Sequence, residues 1–328
     1  MTILVTGGCG FIGSNFIRRW RRISDERIIN LDMLTYAADP TLNKELKHNP
    51  NYIFCEGDIA DMRIVAHILM TYNPRAIINF AAESHVDNSI ANAYPFMQTN
   101  IMGTFNLLEC VRQWNPSIRF IHVSTDEVYG SLEFDDPAFT EKTPYDPRSP
   151  YSASKAASDH LVAAYHHTHG LQTIITHCSN NYGPYQHPEK LIPVIIRKAL
   201  ADESIPIYGT GTNIRDWIFV EDHVDALITI LKDGRIGETY NIGAEEEWTN
   251  LRIAHEILDK LDKPTSLITF VEDRKGHDFR YAINNAKIWT ELQWVPRHSF
   301  DAGLNKTVEW YKHNTSWVSQ CLKRSESF

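Results

Sequence analysis

Two short stretches of the sequence combine residue types suited to acid–base chemistry beside a hydride transfer. Thr125-Asp126-Glu127 puts two carboxylic acids next to each other, and Tyr151 and Lys155 follow at positions i and i+4. A phenol made more acidic by a nearby ammonium can take the proton of an alcohol, whereas elimination of water needs a separate acid and base. Together the two stretches indicate a reaction that combines hydride transfer with dehydration.

The predicted secondary structure places these side chains at one edge of a sheet. An apolar strand over residues 120–124 delivers the acidic pair at its carboxyl end. A helix that starts at Ser149-Pro150 puts Tyr151 and Lys155 on one face. Taken alone, the acids could be a solvated turn and the Tyr/Lys pair a surface feature. Their shared position beside a predicted cofactor favours the catalytic interpretation.

A dinucleotide site is predicted at the N-terminus. A β-prone run, Thr2 to Thr6, leads into Gly7, Gly10 and Gly13, after which a helical pattern begins. Glycines at this spacing let the backbone approach a pyrophosphate, and the helix N-terminus offers free N–H groups. A second strand ends in Asp32, whose carboxylate can accept both adenosine ribose hydroxyls and would repel a 2′-phosphate. NAD is therefore favoured over NADP.

Two further strand ends point to the same site. Asp58 follows the third predicted strand, where it could bind the adenine ring or act as a plain helix N-cap. Small residues, Ala81 and Ala82, follow Phe80 at the end of the fourth strand. Small side chains at the carboxyl end of a parallel strand leave room for a cofactor.

The order of these patterns predicts an α/β protein. We expect a Rossmann-type doubly wound parallel sheet with a smaller α/β substrate-binding domain. The first domain would cover 1–179 with a return segment at about 213–242, and the second 180–212 and 243–328. A loop rich in Pro and acids, 131–149, would cover the site. In the second domain, small helices over 284–310 would complete the core, and 315–328 would form a poorly ordered tail.

Composition limits the classes of function. With 43% hydrophobic and 22% charged residues, a net charge of -9 and a pI near 5.9, the chain has no surplus of cations for nucleic acid or an anionic membrane. Neither a signal peptide nor a membrane span is apparent. Because the cysteines are odd in number and dispersed, no disulfide framework or metal site is indicated, and a cytoplasmic location is expected. They are Cys9, Cys55, Cys110, Cys178 and Cys321.

The motifs resemble the extended short-chain dehydrogenase/reductase family and, within it, the nucleotide-sugar 4,6-dehydratases of the dTDP-glucose type. The resemblance spans almost the whole chain, and the glycine loop and the Tyr/Lys pair identify only the superfamily. The Thr-Asp-Glu triplet narrows it, because similar 4-epimerases lack the acidic pair and related decarboxylases and GDP-mannose dehydratases read Thr-Ser-Glu. The motifs are Gly7–Gly13, Ala81–Asp87, Ser124–Gly130, Asn180–Pro184, Arg215–Trp217 and Gly276–Asp278.

The resemblance implies a mechanism that forms a 4-keto-6-deoxy sugar, as in rhamnose-type deoxysugar biosynthesis. Tyr151, helped by Thr125, takes the 4-hydroxyl proton, while tightly bound NAD accepts the C4 hydride and later returns it to C6. Glu127 removes the C5 proton, and Asp126 protonates the departing C6 hydroxyl. Lys155 would favour the phenolate and reach the nicotinamide ribose. NAD is thus regenerated in each turnover.

The resemblance also implies binding residues and partners. Arg215 and Arg274 are candidates for bidentate contact with a diphosphate, although an arginine is more often in a surface ion pair. A homodimer through the helices near 96–114 and 152–169 is expected. The implied cofactor residues are Gly7, Gly10, Phe11, Ile12, Gly13, Asp32, Leu34, Thr35, Asp58, Ile59, Phe80, Ala81, Ala82, Ser84, Thr99, Tyr151, Lys155 and Asn181. The implied substrate residues are Ser84, Thr125, Asn180, Lys190, Leu191, Pro206, Tyr208, Arg215, Asn250, Arg274 and His277.

Two departures from the family pattern leave alternatives open. Asn88 stands where the family usually has Arg, and Lys275 where it commonly has Pro. Lys275 lies next to the expected nucleotide pocket, so the preference for thymine over uracil is left open. The alternatives are a UDP-glucose 4,6-dehydratase, a UDP-sugar 4-epimerase or decarboxylase, and a non-catalytic NAD-binding regulator.

Overall fold

The computed structural model describes residues 1–39, 41–273 and 276–327. Its strands are β1 (Thr2–Thr6), β2 (Arg27–Asp32), β3 (Tyr52–Glu56), β4 (Ala76–Asn79), β5 (Arg119–Thr125), β6 (Thr173–Cys178), β7 (Asn180–Tyr182), β8 (Ile205–Tyr208), β9 (Ile214–Phe219), β10 (Thr239–Ile242), β11 (Glu247–Thr249) and β12 (Ile268–Val271). Its α-helices are α1 (Phe11–Ile23), α2 (Leu42–Glu45), α3 (Met62–Tyr72), α4 (Val86–Ala91), α5 (Tyr94–Phe96), α6 (Thr104–Trp114), α7 (Pro150–His169), α8 (Leu191–Leu200), α9 (Val220–Asp233), α10 (Asn250–Lys260), α11 (Ala286–Leu292), α12 (Phe300–His313) and α13 (Thr315–Ser325).

The predicted doubly wound sheet is confirmed. Seven strands lie in the order β10-β6-β5-β4-β1-β2-β3, and every neighbouring pair is parallel. The strands are apolar throughout, as in β1, where Ile3, Leu4 and Val5 are fully buried, because helices cover both faces. The strand order reverses between β1 and β4. A ligand cleft is therefore expected at the carboxyl ends of these strands.

Two smaller sheets complete the structure. Strand β9 lies between β7, with which it is parallel, and β11, with which it is antiparallel, while β8 pairs in parallel with β12. A second hydrophobic core forms on these strands and on helices α8, α10, α12 and α13. Strand β10 does not belong to these smaller sheets. The chain returns there to the edge of the seven-stranded sheet, where β10 pairs with β6.

The long helix expected after Pro95 is divided. Between α5 and α6, residues Met97–Gly103 form a π-helix. This widened turn holds buried Asn100, whose side chain binds the backbone N–H and carbonyl of Glu83 at 2.9 and 3.1 Å and the Ser154 hydroxyl at 2.8 Å. A π-turn often accompanies a functional site, and this one ties α7 to the loop after β4.

The C-terminus differs from the expectation. Residues 315–327 are not a poorly ordered tail, because most of this segment is helix α13, whose Trp317 and Cys321 are buried in the second core. The Trp317 indole donates a hydrogen bond of 2.9 Å to Asp39. The small helices expected over 284–310 do not all complete the second core: Ile288 of α11 packs into the core of the large sheet, whereas Phe300 and Leu304 of α12 belong to the second core. None of the described helices has the length and apolar character of a membrane span.

Candidate active site

One cleft at the carboxyl edge of the large sheet brings together most of the predicted site residues. It runs from the glycine loop past β4 to the ends of β5 and β6. The predicted residues that line it are Gly7, Gly10, Phe11, Ile12, Gly13, Asp32, Thr35, Asp58, Ile59, Phe80, Ala81, Ala82, Ser84, Thr99, Thr125, Asp126, Glu127, Tyr151, Lys155, Asn180, Asn181 and Lys190.

The glycine loop has the shape of a phosphate cradle. Gly7 has a φ of 65°, and a Cβ there would lie 2.5 Å from the backbone nitrogen of Ala81. A Cβ on Gly13 would lie 2.4 Å from the Gly7 carbonyl oxygen. Helix α1 begins directly after Gly10, and among the described residues no side chain caps this end. Its free N–H groups and positive dipole end therefore face the cleft and suit a pyrophosphate.

Asp32 is held in place at the end of β2. Its carboxylate accepts hydrogen bonds of 2.8 Å from the backbone N–H groups of Cys9 and Leu34. Burial raises the pKa of Asp32, and these two N–H groups partly oppose that shift. Leu34 thus contributes its backbone N–H, while its side chain packs against the core. The geometry of the glycine loop and Asp32 fits a dinucleotide.

Asp58 is not the helix cap that the sequence left open. Helix α3 is capped by Asp61, whose side chain accepts a hydrogen bond from the backbone N–H of Arg63. Asp58 instead binds the Ala60 N–H at 2.8 Å and lines the cleft. Asp58 therefore lies in the cleft, and its contact with the adenine ring stays a prediction.

The acidic pair lies where β5 ends and a 3₁₀ turn begins. Thr125 caps this turn, accepting a 3.3 Å hydrogen bond from the Glu127 N–H, and its hydroxyl lies 3.4 Å from Asp126 Oδ1. Asp126 is 2% exposed, and its Oδ2 has no hydrogen-bond partner among the described residues. Burial, Glu127 and Asp216 raise the pKa of Asp126 well above its usual value, although Arg215 opposes them. This environment favours the protonated form of Asp126, and the residue lines the cleft.

Tyr151 and Lys155 lie on the first turns of α7. The helix start is fixed by Ser149 and Ser152, which cap each other's backbone N–H groups. The buried Lys155 ammonium donates a 2.8 Å hydrogen bond to the carbonyl of Val123. Burial lowers the pKa of Lys155.

The expected acidification of Tyr151 by Lys155 does not dominate in this structure. Burial, followed by the charge of Glu127, raises the pKa of Tyr151 well above its usual value, and the hydroxyl of Thr125 only partly opposes this. The role of Lys155 in favouring the Tyr151 phenolate therefore stays a prediction.

Several predicted substrate residues lie outside the cleft. Arg215 is not in a surface ion pair: it is 8% exposed, donates to the carbonyls of Ile214, Asp278 and Phe279 at 2.7, 3.0 and 3.3 Å, and stacks on Tyr281. Its guanidinium thus ties strand β9 to the segment at 278–279, and its charge acts on Asp126.

Of the other substrate candidates, Ser84, Thr125, Asn180 and Lys190 line the cleft, and the remaining described ones do not. Asn180 and Asn250 each have a buried side-chain oxygen without a partner among the described residues, which suits a ligand donor. The Lys190 ammonium donates to the carbonyl of Ser84 at 3.2 Å. His277 lies 2.7 Å from Asp273. Leu191 begins α8, Pro206 and Tyr208 belong to β8, and Arg274 and Lys275 lie outside the described residues.

The sequence did not identify several groups around the cleft. Cys178, Ser179, Gln186, His187 and Glu189 also line it. Cys178 and Ser179 lie at the end of β6, and the other three lie in the loop between β7 and α8. No spacing in the sequence distinguished them from ordinary loop residues.

A buried polar cluster beneath Lys155 was also missed. It contains His122, Asp159 and His177, all fully buried. Asp159 follows Lys155 at the same four-residue spacing as Lys155 follows Tyr151, so this helix period was the available signal.

Comparison with known proteins agrees with this geometry. The family model for GDP-mannose 4,6 dehydratase matches residues 4–307. A curated dTDP-glucose 4,6-dehydratase of Haemophilus influenzae is 50% identical, with 96% of this chain and 99% of that protein covered. The dTDP-glucose 4,6-dehydratase of Bacillus anthracis in complex with NAD is 45% identical over 98% of this chain and 99% of that chain, with a TM-score of 0.92. The same enzyme of Streptomyces venezuelae, with NAD and TYD bound, is 45% identical over 98% of this chain and 100% of that chain, with a TM-score of 0.93.

Proposed function

This chain belongs to the family of the dTDP-glucose 4,6-dehydratases, and from this premise we propose that it is an NAD-dependent hydro-lyase that converts dTDP-glucose to the 4-keto-6-deoxy sugar. The observation that carries the proposal is Asp126, a buried carboxyl group with an unpartnered oxygen in the cleft that also holds Glu127 and Tyr151, in surroundings that raise its pKa. Epimerisation has no use for such an acid, whereas loss of the C6 hydroxyl as water requires one.

The cradle between the glycine loop and Asp32 would hold the cofactor. Gly7, Gly10 and Gly13 would allow the pyrophosphate to reach the N–H groups of α1, and Asp32 would bind the adenosine ribose. When bound, NAD supplies a hydride acceptor for C4 and a hydride donor for C6. Because the reaction both consumes and restores the oxidised form, the cofactor is retained between turnovers.

The side chains divide the proton transfers among themselves. Tyr151, in its phenolate form and with the Thr125 hydroxyl beside it, would receive the proton of the 4-hydroxyl group. Glu127 removes the C5 proton, which the 4-keto group has made acidic, and returns a proton to C5 at the end. Asp126 gives its proton to the departing C6 hydroxyl, which leaves as water. The low polarity of the buried site and the Glu127 charge keep Asp126 protonated until that step.

One turnover changes the protonation states of two side chains, which must be restored before the next turnover. After one turnover Tyr151 holds one extra proton and Asp126 lacks one, while Glu127 is unchanged. Thr125 lies between them: its hydroxyl is 3.4 Å from Asp126 Oδ1 and also acts on Tyr151. One proton must therefore pass from Tyr151 to Asp126 before the next turnover, directly through Thr125 or by way of solvent.

The nucleotide end of the substrate would lie against the second core. Asn180 and Asn250 would supply their unpartnered oxygens, and Lys190 would meet the diphosphate. We also propose the remaining substrate contacts and the division into two domains that the sequence indicated. The first domain covers 1–179 with 213–242, and the second covers 180–212 with 243–328. The other proposed contacts are Ser84, Leu191, Pro206, Tyr208, Arg215, Arg274 and His277.

A homodimer in the cytoplasm completes the proposal. The helices near 96–114 and 152–169 expose Met102 at 43%, and Tyr94 just before them at 67%, on the outside of the large sheet. Two exposed apolar side chains do not define an interface by themselves, and the dimer is proposed from the family resemblance. All five cysteines are free, as in proteins of a reducing compartment.

The experiment is a parallel turnover assay of the purified protein with dTDP-glucose and UDP-glucose, with no NAD added. The proposal expects the 4-keto-6-deoxy product from dTDP-glucose at the higher kcat/KM. A higher kcat/KM with UDP-glucose would instead indicate a UDP-glucose 4,6-dehydratase. A C4 stereoisomer or released carbon dioxide would replace it with a 4-epimerase or a decarboxylase, and no reaction with retained NAD would indicate a regulator.

A further inference from the structure

A group of charged and polar side chains is sealed beneath the catalytic helix. Lys155 is 2% exposed, and His122, Asp159 and His177 are fully buried. Burying an ammonium and a carboxylate together is expensive unless each is paired and hydrogen-bonded. Lys155 is predicted to favour the Tyr151 phenolate, whereas the other three residues have no role in the proposed proton transfers.

The contacts form a chain that begins at the lysine. His122 Nε2 lies 3.5 Å from the Lys155 ammonium and 3.4 Å from Asp159 Oδ1. The other oxygen of Asp159 lies 3.0 Å from His177 Nε2 and accepts a 3.0 Å hydrogen bond from the Ser124 hydroxyl. Asp159 is therefore held from β5 and from β6, on the face of α7 that also carries Lys155.

The members of this cluster differ in their charge states. Burial, with the charge of Lys155, lowers the pKa of His122 to about 4, so His122 is neutral at pH 7. Burial opposes the charge of Asp159, but hydrogen bonds from His122 and His177 outweigh it and hold its pKa well below its usual range. Asp159 is therefore an anion facing the Lys155 cation.

The neighbouring tyrosine hydroxyl groups add no charge to this cluster. Tyr129 lies 2.6 Å from His177 Nδ1, and Tyr145, from the loop that follows β5, lies 3.1 Å from His177 Nε2. Burial raises the pKa of both phenols, so they stay neutral. Glu141 and Asp126 act on Tyr129 from the far side of the cluster, and Cys178 faces Lys155 from β6.

We propose that Asp159 is a positioning residue of the catalytic apparatus, a buried counter-ion that, with His122 between them, keeps Lys155 charged and fixed beside Tyr151. The proposal rests on the proposed role of the Tyr151/Lys155 pair. Tyr151, Lys155 and Asp159 recur every four residues on α7, so one helix face carries the phenol, the cation and the anion. Without Asp159, the Lys155 ammonium would remain buried but would lose the negative charge that stabilises it.

The test is the pH profile of C4 oxidation, measured as reduction of enzyme-bound NAD after mixing the holoenzyme with dTDP-glucose. In Asp159→Asn, Lys155 should lose its proton more easily, and the alkaline limb of the profile should move down by about 1 to 3 pH units. Asp159→Glu, which restores the charge, should keep the limb near that of the unmodified protein. Asp262→Asn is the matched control, because Asp262 is exposed on a left-handed turn (φ 51°) that Asn also adopts.

A purely structural role gives a different result. Asp159→Asn would then reduce the rate by the same factor at every pH, and that outcome overturns the proposal. If Asp159→Asn does not fold, Asp159→Ser, which makes room for water, is used with the same expectation and the same contrary result. If the unmodified holoenzyme itself shows no C4 oxidation, it is the proposed function that fails.

Discussion

Replacement of Asp126 by Asn isolates the elimination of water from the hydride transfers. The substitution keeps the size of the side chain and removes the acidic proton. Because Asp126 is 2% exposed and Thr125 is its hydrogen-bond neighbour, the amide fits the same space. Tyr151 and Glu127 are left intact, so oxidation of C4 should proceed and the loss of the C6 hydroxyl should stall.

The expected size of the effect follows from the role of the group. A positioned general acid contributes about 10²- to 10⁴-fold to a rate, which corresponds to about 3 to 5 kcal/mol of barrier. Asp126 is buried, and Glu127 and Asp216 help to keep it protonated, so its proton is available at neutral pH. We therefore expect Asp126→Asn to lower kcat by at least about 100-fold while KM changes little.

Stopped-flow absorbance of the bound nicotinamide provides the assay. On mixing with dTDP-glucose, Asp126→Asn should form the reduced cofactor at nearly the normal rate and hold it, whereas the unmodified enzyme passes through this state quickly. Asp135→Asn, at an exposed position of the same loop, should behave like the unmodified enzyme. Failure of Asp126→Asn to reduce the cofactor would refute the assignment of Asp126 to the elimination step.

Three further predictions concern other parts of the molecule. Tyr151→Phe should slow reduction of the bound cofactor about 10²- to 10⁴-fold with substrate affinity retained, as measured by stopped flow and calorimetry; an equal loss of affinity would contradict its role as the base. The pKa of Asp216 is raised to about 7, so its protonated carboxyl group stabilises the folded state at low pH. This contribution, up to about 4 kcal/mol, is lost as the pH rises from about 4 to 7, and Tm should fall over that range. Asp216→Asn should flatten the fall in Tm, and an unchanged slope would contradict the prediction. Trp317→Ala should lower the free energy of unfolding by about 3 to 5 kcal/mol in denaturant titrations, because it empties a core position and frees Asp39; a loss below about 1 kcal/mol would mean that α13 is not docked.

The parts that sequence predicted well are those governed by local rules. Apolar runs followed by Gly7 or by Asp32 predicted parallel strands and a dinucleotide cleft, because strand ends and helix starts are determined by neighbouring residues. Thr125 to Glu127 could be placed at the cleft for the same reason.

The parts that sequence missed depend on contacts between distant segments. Asp159 lies 35 residues after Ser124, and their hydrogen bond depends on the packing of α7 against β5. Neither a motif nor the composition of the sequence indicated this contact. Arg215 could not be distinguished from a surface arginine until its three carbonyl partners were known. Helix α13 was missed because its burial depends on Asp39, far away in the chain.

The central claim is that one hydride leaves C4 and returns to C6 of the same sugar within one active site. The direct measurement is turnover of dTDP-glucose carrying deuterium at C4, in ordinary water and without added NAD, followed by NMR of the product. The account predicts that the deuterium is found at C6 of the 4-keto-6-deoxy sugar. Deuterium lost to the solvent, or still present at C4, would contradict it.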